Sequence, residues 1–142
     1  MVQVLAKDRR SVSPRIMTDM TQDPTFPRLR LRLYFAPGEM MGPGKADLLE
    51  HIRETGSISA AGRAMGMSYK RAWSLVEVMN AMFHAPVVES SRGGPKGGGA
   101  RLTETGEAVL SHYRALEAAA LTQGGEDIAA MERLLSDMVR GK

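Results

Sequence analysis

Cysteine is absent from this 142-residue chain, which excludes disulfides, thiolate zinc sites and cysteine nucleophiles together. Histidine is scarce: the three are His51, His84 and His112, too far apart for any pair to have metal-motif spacing. No apolar run approaches the roughly 20 residues that a membrane span requires. Lys7, Arg9 and Arg10 near the start have no apolar stretch behind them, so they do not open a secretory signal. The pattern predicts a cytoplasmic protein without membrane, metal or cofactor. Glu50 and Glu54 lie one helical turn apart and read as surface charge, and no Ser/His/Asp grouping stands out. No enzyme is expected.

What is present is ordinary in amount and uneven in placement. Apolar residues make up 43% and charged residues 25% of the chain, usual for one globular domain with a modest core. The net charge is +3, but residues 1–35 carry +4, 36–55 carry −2, 56–103 carry +4 and 104–142 carry −3. A basic middle followed by an acidic end suggests a polyanion-facing surface backed by a different surface for self-association.

Residues 1–27 lack hydrophobic periodicity and contain Pro14, Pro24 and Pro27, so they read as a disordered arm. Residues 28–35, RLRLRLYF, alternate strictly. They predict a half-buried strand with Leu29, Leu31, Leu33 and Phe35 inward, and Arg28, Arg30, Arg32 and Tyr34 toward solvent or phosphate. The glycines and prolines of 36–45 predict a loop. Leu48, Leu49 and Ile52 mark one face of a short helix over 46–54 that stops near Gly56. Ser57 or Ser59 caps the next helix, Gly66 breaks it, and Ser68 caps a third with an apolar stripe at Ala72, Val76, Met79 and Phe83. Pro86 ends that pattern. Val87–Ser91 and Ala100–Leu102 read as short strands, and Thr103 caps an amphipathic helix running through Val109, Leu110, Tyr113, Leu116 and Ala120. Gly124-Gly125 interrupts before a last helix with Ile128, Met131, Leu134, Leu135 and Met138.

Two features carry chemistry. Between the second and third helices, Ala61 and Gly62 permit close approach and Gly66 permits a tight turn. The third helix then opens Ser68-Tyr69-Lys70-Arg71, where unpaired N–H groups, helix dipole and cations suit a phosphate and donors reach base edges. The loop from Arg92 to Arg101 holds five glycines and three cations, Arg92, Lys96 and Arg101. Glycine lets backbone approach a phosphodiester and the cations neutralise it. This order of parts is a helix-turn-helix followed by a wing. A rival pattern, Gly38 to Ala46, sits between strand and helix like a nucleotide-binding P-loop. It has five residues where that motif has four, and Ala46 where it needs a hydroxyl for Mg²⁺. A P-loop NTPase is therefore not expected.

GSIS-AAGRAMGMSYKRAW, Met79-Asn80 and VVESSRGGPKGGGARLTETG resemble the N-terminal DNA-binding domain of the ModE-type molybdate-responsive transcriptional regulators, which in turn resemble LysR-type winged helix-turn-helix domains. The resemblance covers about residues 28–120. It implies that Ser68, Tyr69, Lys70, Arg71 and Ser74 face the major groove, that Arg92, Lys96 and Arg101 form the wing, and that Trp73 and Met79 lie on the buried side. With Ser57 and Ser59 of the preceding helix, these ten polar residues are the candidate DNA contacts. The resemblance also implies a homodimer built with the helix after the wing. Family members continue into paired β-rich domains that bind molybdate, with no counterpart before Lys142, so no molybdate site is expected in this chain.

The expected architecture is thus mainly α with a small β-sheet: a disordered arm at 1–27, a winged helix-turn-helix at 28–103 and long dimerisation helices at 104–142. The expected function is sequence-specific regulation of transcription, linked to molybdate metabolism or transport. The alternative is an adaptor module that pairs through its C-terminal helices with a separate sensor protein.

Overall fold

The computed structural model describes residues 25–91 and 99–136; most of the expected arm, the tip of the expected wing and Met138 lie outside them. Among the described residues the order is β1 (Leu33–Ala36), β2 (Glu39–Met41), α1 (Pro43–Thr55), α2 (Ile58–Ala64), α3 (Tyr69–Met82), β3 (Val88–Ser91), β4 (Gly99–Leu102), α4 (Glu104–Gln123) and α5 (Gly125–Arg133). The strands form two separate antiparallel hairpins, β1 with β2 and β3 with β4. No described helix is long and apolar enough to cross a membrane.

Residues 30–115 form one compact unit. Its core draws Leu48, Leu49 and Ile52 from α1, Ile58 and Ala61 from α2, Ala72, Val76 and Met79 from α3, Val87, Val88 and Leu102 from the second hairpin, and Leu110 and Tyr113 from α4. Burial of each large apolar side chain contributes about 1.5–3 kcal/mol before the entropy of ordering is subtracted.

The first hairpin departs from the sequence expectation. The strand begins at Leu33 rather than Arg28, and Leu33, Tyr34 and Phe35 are all exposed. The expected loop contains β2 and the first turn of α1. Alternation alone does not make a strand, because each ladder position requires a partner. Here the tight turn at Gly38 (φ 82°) leaves only the three residues of β2 to pair, with a bulge after Tyr34. Among the described residues no further strand joins this hairpin, and the Phe35 ring lies steeply inclined to that of Phe83, ring centroids 6.1 Å apart. The strand at Glu39–Met41 also removes the loop that a P-loop would require.

Helix α1 starts three residues earlier than expected because Pro43 occupies its first position, where a missing N–H is harmless. It ends at Gly56 in the left-handed conformation (φ 73°), whose N–H returns to the Ile52 carbonyl. Ser57, rather than Ser59, caps α2 by accepting from the Ala60 N–H at 3.0 Å. Gly66 takes φ 72° in the turn, and a Cβ on Gly62 would come 3.0 Å from that of Ala72. Small residues therefore stand where α2 and α3 meet.

The peptide from Pro86 to Val88 joins α3 to the second hairpin and α4. Thr103 caps α4 by accepting from the Gly106 N–H, while its own hydroxyl donates to the Pro86 carbonyl at 2.6 Å. A methyl group on Gly106 would collide with the Val87 carbonyl oxygen and sit 3.0 Å from its carbon. On the other side of the unit, the Arg114 guanidinium donates to Asp47 and Glu50 at 2.8 and 2.6 Å, and Arg53 pairs with Glu107 at 3.1 Å. The Tyr113 hydroxyl donates to the Leu31 carbonyl at 2.6 Å. These bonds lock α4 to α1 and to the segment before β1.

Helix α4 is a single run of 20 residues. It gives way to α5 at Gly124, as the paired glycines predict, but α5 ends at Arg133, so Leu134 and Leu135 follow the helix rather than lying in it.

The contrast between two glycines is testable by chemical denaturation. Gly106→Ala is expected to lower stability by about 1–3 kcal/mol, the usual penalty of forcing atoms into a packed site. Gly44→Ala, in α1 with nothing within 4 Å of the new methyl, should leave stability unchanged or raise it by up to about 0.5 kcal/mol.

Candidate nucleic-acid interface

Helix α3 is two-sided. Ala72, Val76 and Met79 are buried, whereas Ser68, Tyr69, Lys70, Arg71 and Ser74 are exposed at its N-terminal end. Ser68 caps the helix by accepting from the Arg71 N–H at 3.0 Å, so this hydroxyl first serves the helix itself. The first turn contains no acidic residue, and the amide dipoles add their positive end to Lys70 and Arg71. The Tyr69 ring lies edge-on to Trp73 with centroids 6.1 Å apart, which holds the phenol beside the cations. The Trp73 indole N–H is buried with no hydrogen-bond partner among the described residues.

The serines of α2 have internal partners. Ser57 caps α2, and Ser59 accepts from the Arg63 guanidinium at 3.0 Å. Arg63 was not among the sequence candidates; its spacing of four from Ser59 on a helix is the signal that pointed to it. Arg101 lies on β4 and pairs across the hairpin with Glu89 at 2.8 Å, as the register requires. Both side chains are largely exposed, 76% and 55%, so solvent weakens the pair. Arg92 and Lys96 lie outside the described residues.

The residue that joins helix and hairpin is Asn80. Its Oδ1 accepts from the N–H groups of Val87 and Val88 at 2.8 and 3.1 Å, and its Nδ2 donates to the Val88 carbonyl at 3.3 Å. The side chain thus mimics a short strand at the edge of β3. In the sequence, Met79-Asn80 belongs to the pattern shared with the ModE-type regulators but assigns the amide no role; a polar residue beside a core methionine at a helix end is the available signal. Behind β4, the Ala100 N–H donates to the Gly56 carbonyl at 2.9 Å. The hairpin is therefore tied both to α3 and to the turn between α1 and α2.

This geometry defines the class: a winged helix-turn-helix, with α3 in the position of a recognition helix and the β3–β4 hairpin as the wing. Residues 45–107 match the bacterial regulatory helix-turn-helix proteins of the lysR family, and this segment is a lysR-type helix-turn-helix domain. Among curated relatives, the chain is 51% identical over 81 residues to the molybdenum-pterin-binding protein MopB of Rhodobacter capsulatus, covering 57% of this chain and 30% of that protein. It is 36% identical over 124 residues to MopA of the same organism, covering 84% and 45%. With the molybdenum transport protein ModE of Azotobacter vinelandii it shares 35% identity over 120 residues, covering 77% and 44%. The chain spans less than half the length of each of these relatives.

Asn80 offers a direct check on how the wing is held. Asn80→Ala would leave the N–H groups of Val87 and Val88 without their acceptor, at a cost of about 1–3 kcal/mol. Hydrogen exchange should show faster exchange at Val87 and Val88 than in the parent, with α1 protection little changed. Unchanged exchange there would mean that the amide does not anchor the hairpin.

Proposed function

We propose that this chain is a sequence-specific, duplex-DNA-binding transcriptional regulator of the ModE type, acting as a homodimer in the control of molybdenum-related genes. The observation that carries the reading is the exposed N-terminal end of α3, where Lys70 and Arg71 stand without a carboxylate partner among the described residues, on a lysR-type helix-turn-helix segment. Lys70 and Arg71 are the proposed base and phosphate contacts, with Ser68, Tyr69 and Ser74 beside them and Arg92, Lys96 and Arg101 gripping the backbone from the wing. Ser57 and Ser59 contribute indirectly, by capping α2 and by steadying Arg63. The molybdenum link is supported by the names of the relatives MopA, MopB and ModE.

Homodimerisation is supported by apolar side chains left exposed after the compact unit: Leu116 and Leu121 on α4, each 41% exposed, and Met131 on α5 at 61%. What favours the regulator over the adaptor reading is the lysR-type helix-turn-helix match over residues 45–107, since an adaptor has no need of such a segment.

Selection from a pool of random duplexes should enrich one motif with two-fold symmetry. On that motif, Lys70→Ala and Arg71→Ala are each expected to lower affinity at least about tenfold, and one of them to flatten sequence preference, as loss of a base contact worth about 1–3 kcal/mol would. The single tryptophan, Trp73, sits on α3 and provides the fluorescence readout. Failure to enrich any motif would exclude sequence-specific binding.

The dimer is checked separately by sedimentation. Leu116→Glu with Leu121→Glu should convert a dimer to a monomer while circular dichroism of the compact unit is retained. A parent chain that sediments as a monomer at micromolar concentration would remove this part of the reading.

A further inference from the structure

We infer that Arg32 and Lys45, supplied by the segment before the helix-turn-helix, join Arg71 in a cationic cluster that grips the DNA backbone beside the recognition helix. The inference rests on the DNA-binding reading above and adds a third element, besides α3 and the wing, to the contact surface.

The first hairpin builds the cluster. Its register pairs Leu33 with Met41, which brings Arg32 beside Gly42, the residue that caps α1. The Arg32 side chain lies so close that a Cβ on Gly42 would stand 3.2 Å from its Cγ. Lys45 follows in the first turn of α1, and its ammonium donates to the Met40 carbonyl at 2.9 Å. That bond holds the charge at the hairpin instead of letting it sweep through solvent. Burial, and then the charges of Arg71 and Arg32, hold the Lys45 ammonium below the ordinary lysine range. Helix α1 packs against α3, and Lys45 and Arg71 stand in the first turns of these two helices, which sets Arg71 beside the hairpin's cations.

The cluster has no counter-charge among the described residues. Arg53, Arg101 and Arg114 each meet a carboxylate. Among the described residues, Arg32, Lys45 and Arg71 meet none, and the first turn of α1 carries no acidic residue. Like charges held together, one of them partly desolvated, oppose folding. A bound polyanion removes that repulsion and supplies the missing acceptors, with the guanidinium fork and the ammonium suited to phosphodiester oxygens. Arg32 and Arg71 are exposed, which fits a backbone passing across the surface rather than a small anion enclosed in a pocket. Arg71 also shares the face of α3 that carries Lys70 and Ser74, so one duplex would meet both.

The test is the salt dependence of binding to a random-sequence duplex, for which only the backbone is common. Arg32→Gln and Lys45→Gln should each reduce the slope of log K against log salt by about 0.9, and the double variant by about 1.8. Affinity at 0.1 M salt should fall by roughly fivefold per charge removed. Lys45→Arg, which keeps the charge, should restore the parent slope. Melting temperature should be unchanged or higher in Lys45→Gln, because a repulsion is relieved; Lys45→Met, which keeps the aliphatic stem, repeats the test if glutamine unfolds the chain. A parent slope in the double variant, with Lys70→Ala and Arg71→Ala still weakening binding, would overturn the inference and leave the DNA-binding reading intact. No duplex binding by the parent chain would overturn both.

Discussion

The third helix, the second hairpin and the helix beyond it all depend on how one short peptide, Pro86 to Val88, is held. Asn80 binds the N–H groups of Val87 and Val88 from the end of α3. Thr103 donates to the Pro86 carbonyl and its N–H to that of Val87, from the start of α4. Gly106 leaves room for the Val87 carbonyl to lie against α4, and the Val87 side chain is fully buried. Recognition helix, wing and the helix beyond it are thus referenced to the same three residues. A buried peptide must satisfy its polar groups, and here doing so also sets the angle between the elements. The Leu-Thr-x-x-Gly pattern after the wing is the sequence trace of this packing.

The helical part of the fold was legible because each boundary has a local cause. Ser57 and Ser68 cap where their side chains reach back to N–H groups, and Gly56 and Gly66 take the left-handed backbone that ends one helix and turns into the next. The Gly62–Ala72 approach follows from the same small-residue logic. The first hairpin was misjudged because its alternation is real while its partner strand is hidden in a stretch dominated by glycine and proline. Met40 and Met41 between Gly38 and Gly42 carry little local signal for a strand, since the pairing is set by the turn at Gly38. The start of α1 was misplaced for the related reason that Pro43 can open a helix as readily as it can break one.

The candidate site was legible in its outline and not in its wiring. Lys70 and Arg71 follow a cap and precede a core stripe, which places them outward from sequence alone. That Ser59 steadies Arg63, or that Arg101 meets Glu89, depends on side-chain geometry and on strand register. Lys45 gives no such signal, because its hydrogen bond is to a backbone carbonyl, that of Met40, and Arg71 is far from it in sequence. Elements reveal themselves through periodicity; charge clusters require the fold.

The Glu89–Arg101 pair gives the wing a property that the recognition helix lacks. Glu89 acts as a tethered counterion: on the DNA-binding reading, Arg101 exchanges a carboxylate of its own chain for a phosphate, and the cation freed from that phosphate is offset by one drawn to the vacated Glu89. Arg71, which has no such partner among the described residues, would free the phosphate's condensed cation with no offsetting uptake, and the entropy of that release is gained in full. Two arginines of equal formal charge would then respond differently to ionic strength, with the helix losing its hold as salt rises and the wing changing less. The hairpin would also carry a ready competitor for its own cation, so its grip on the backbone would be loose and quickly exchanged, while α3 set the residence of the complex.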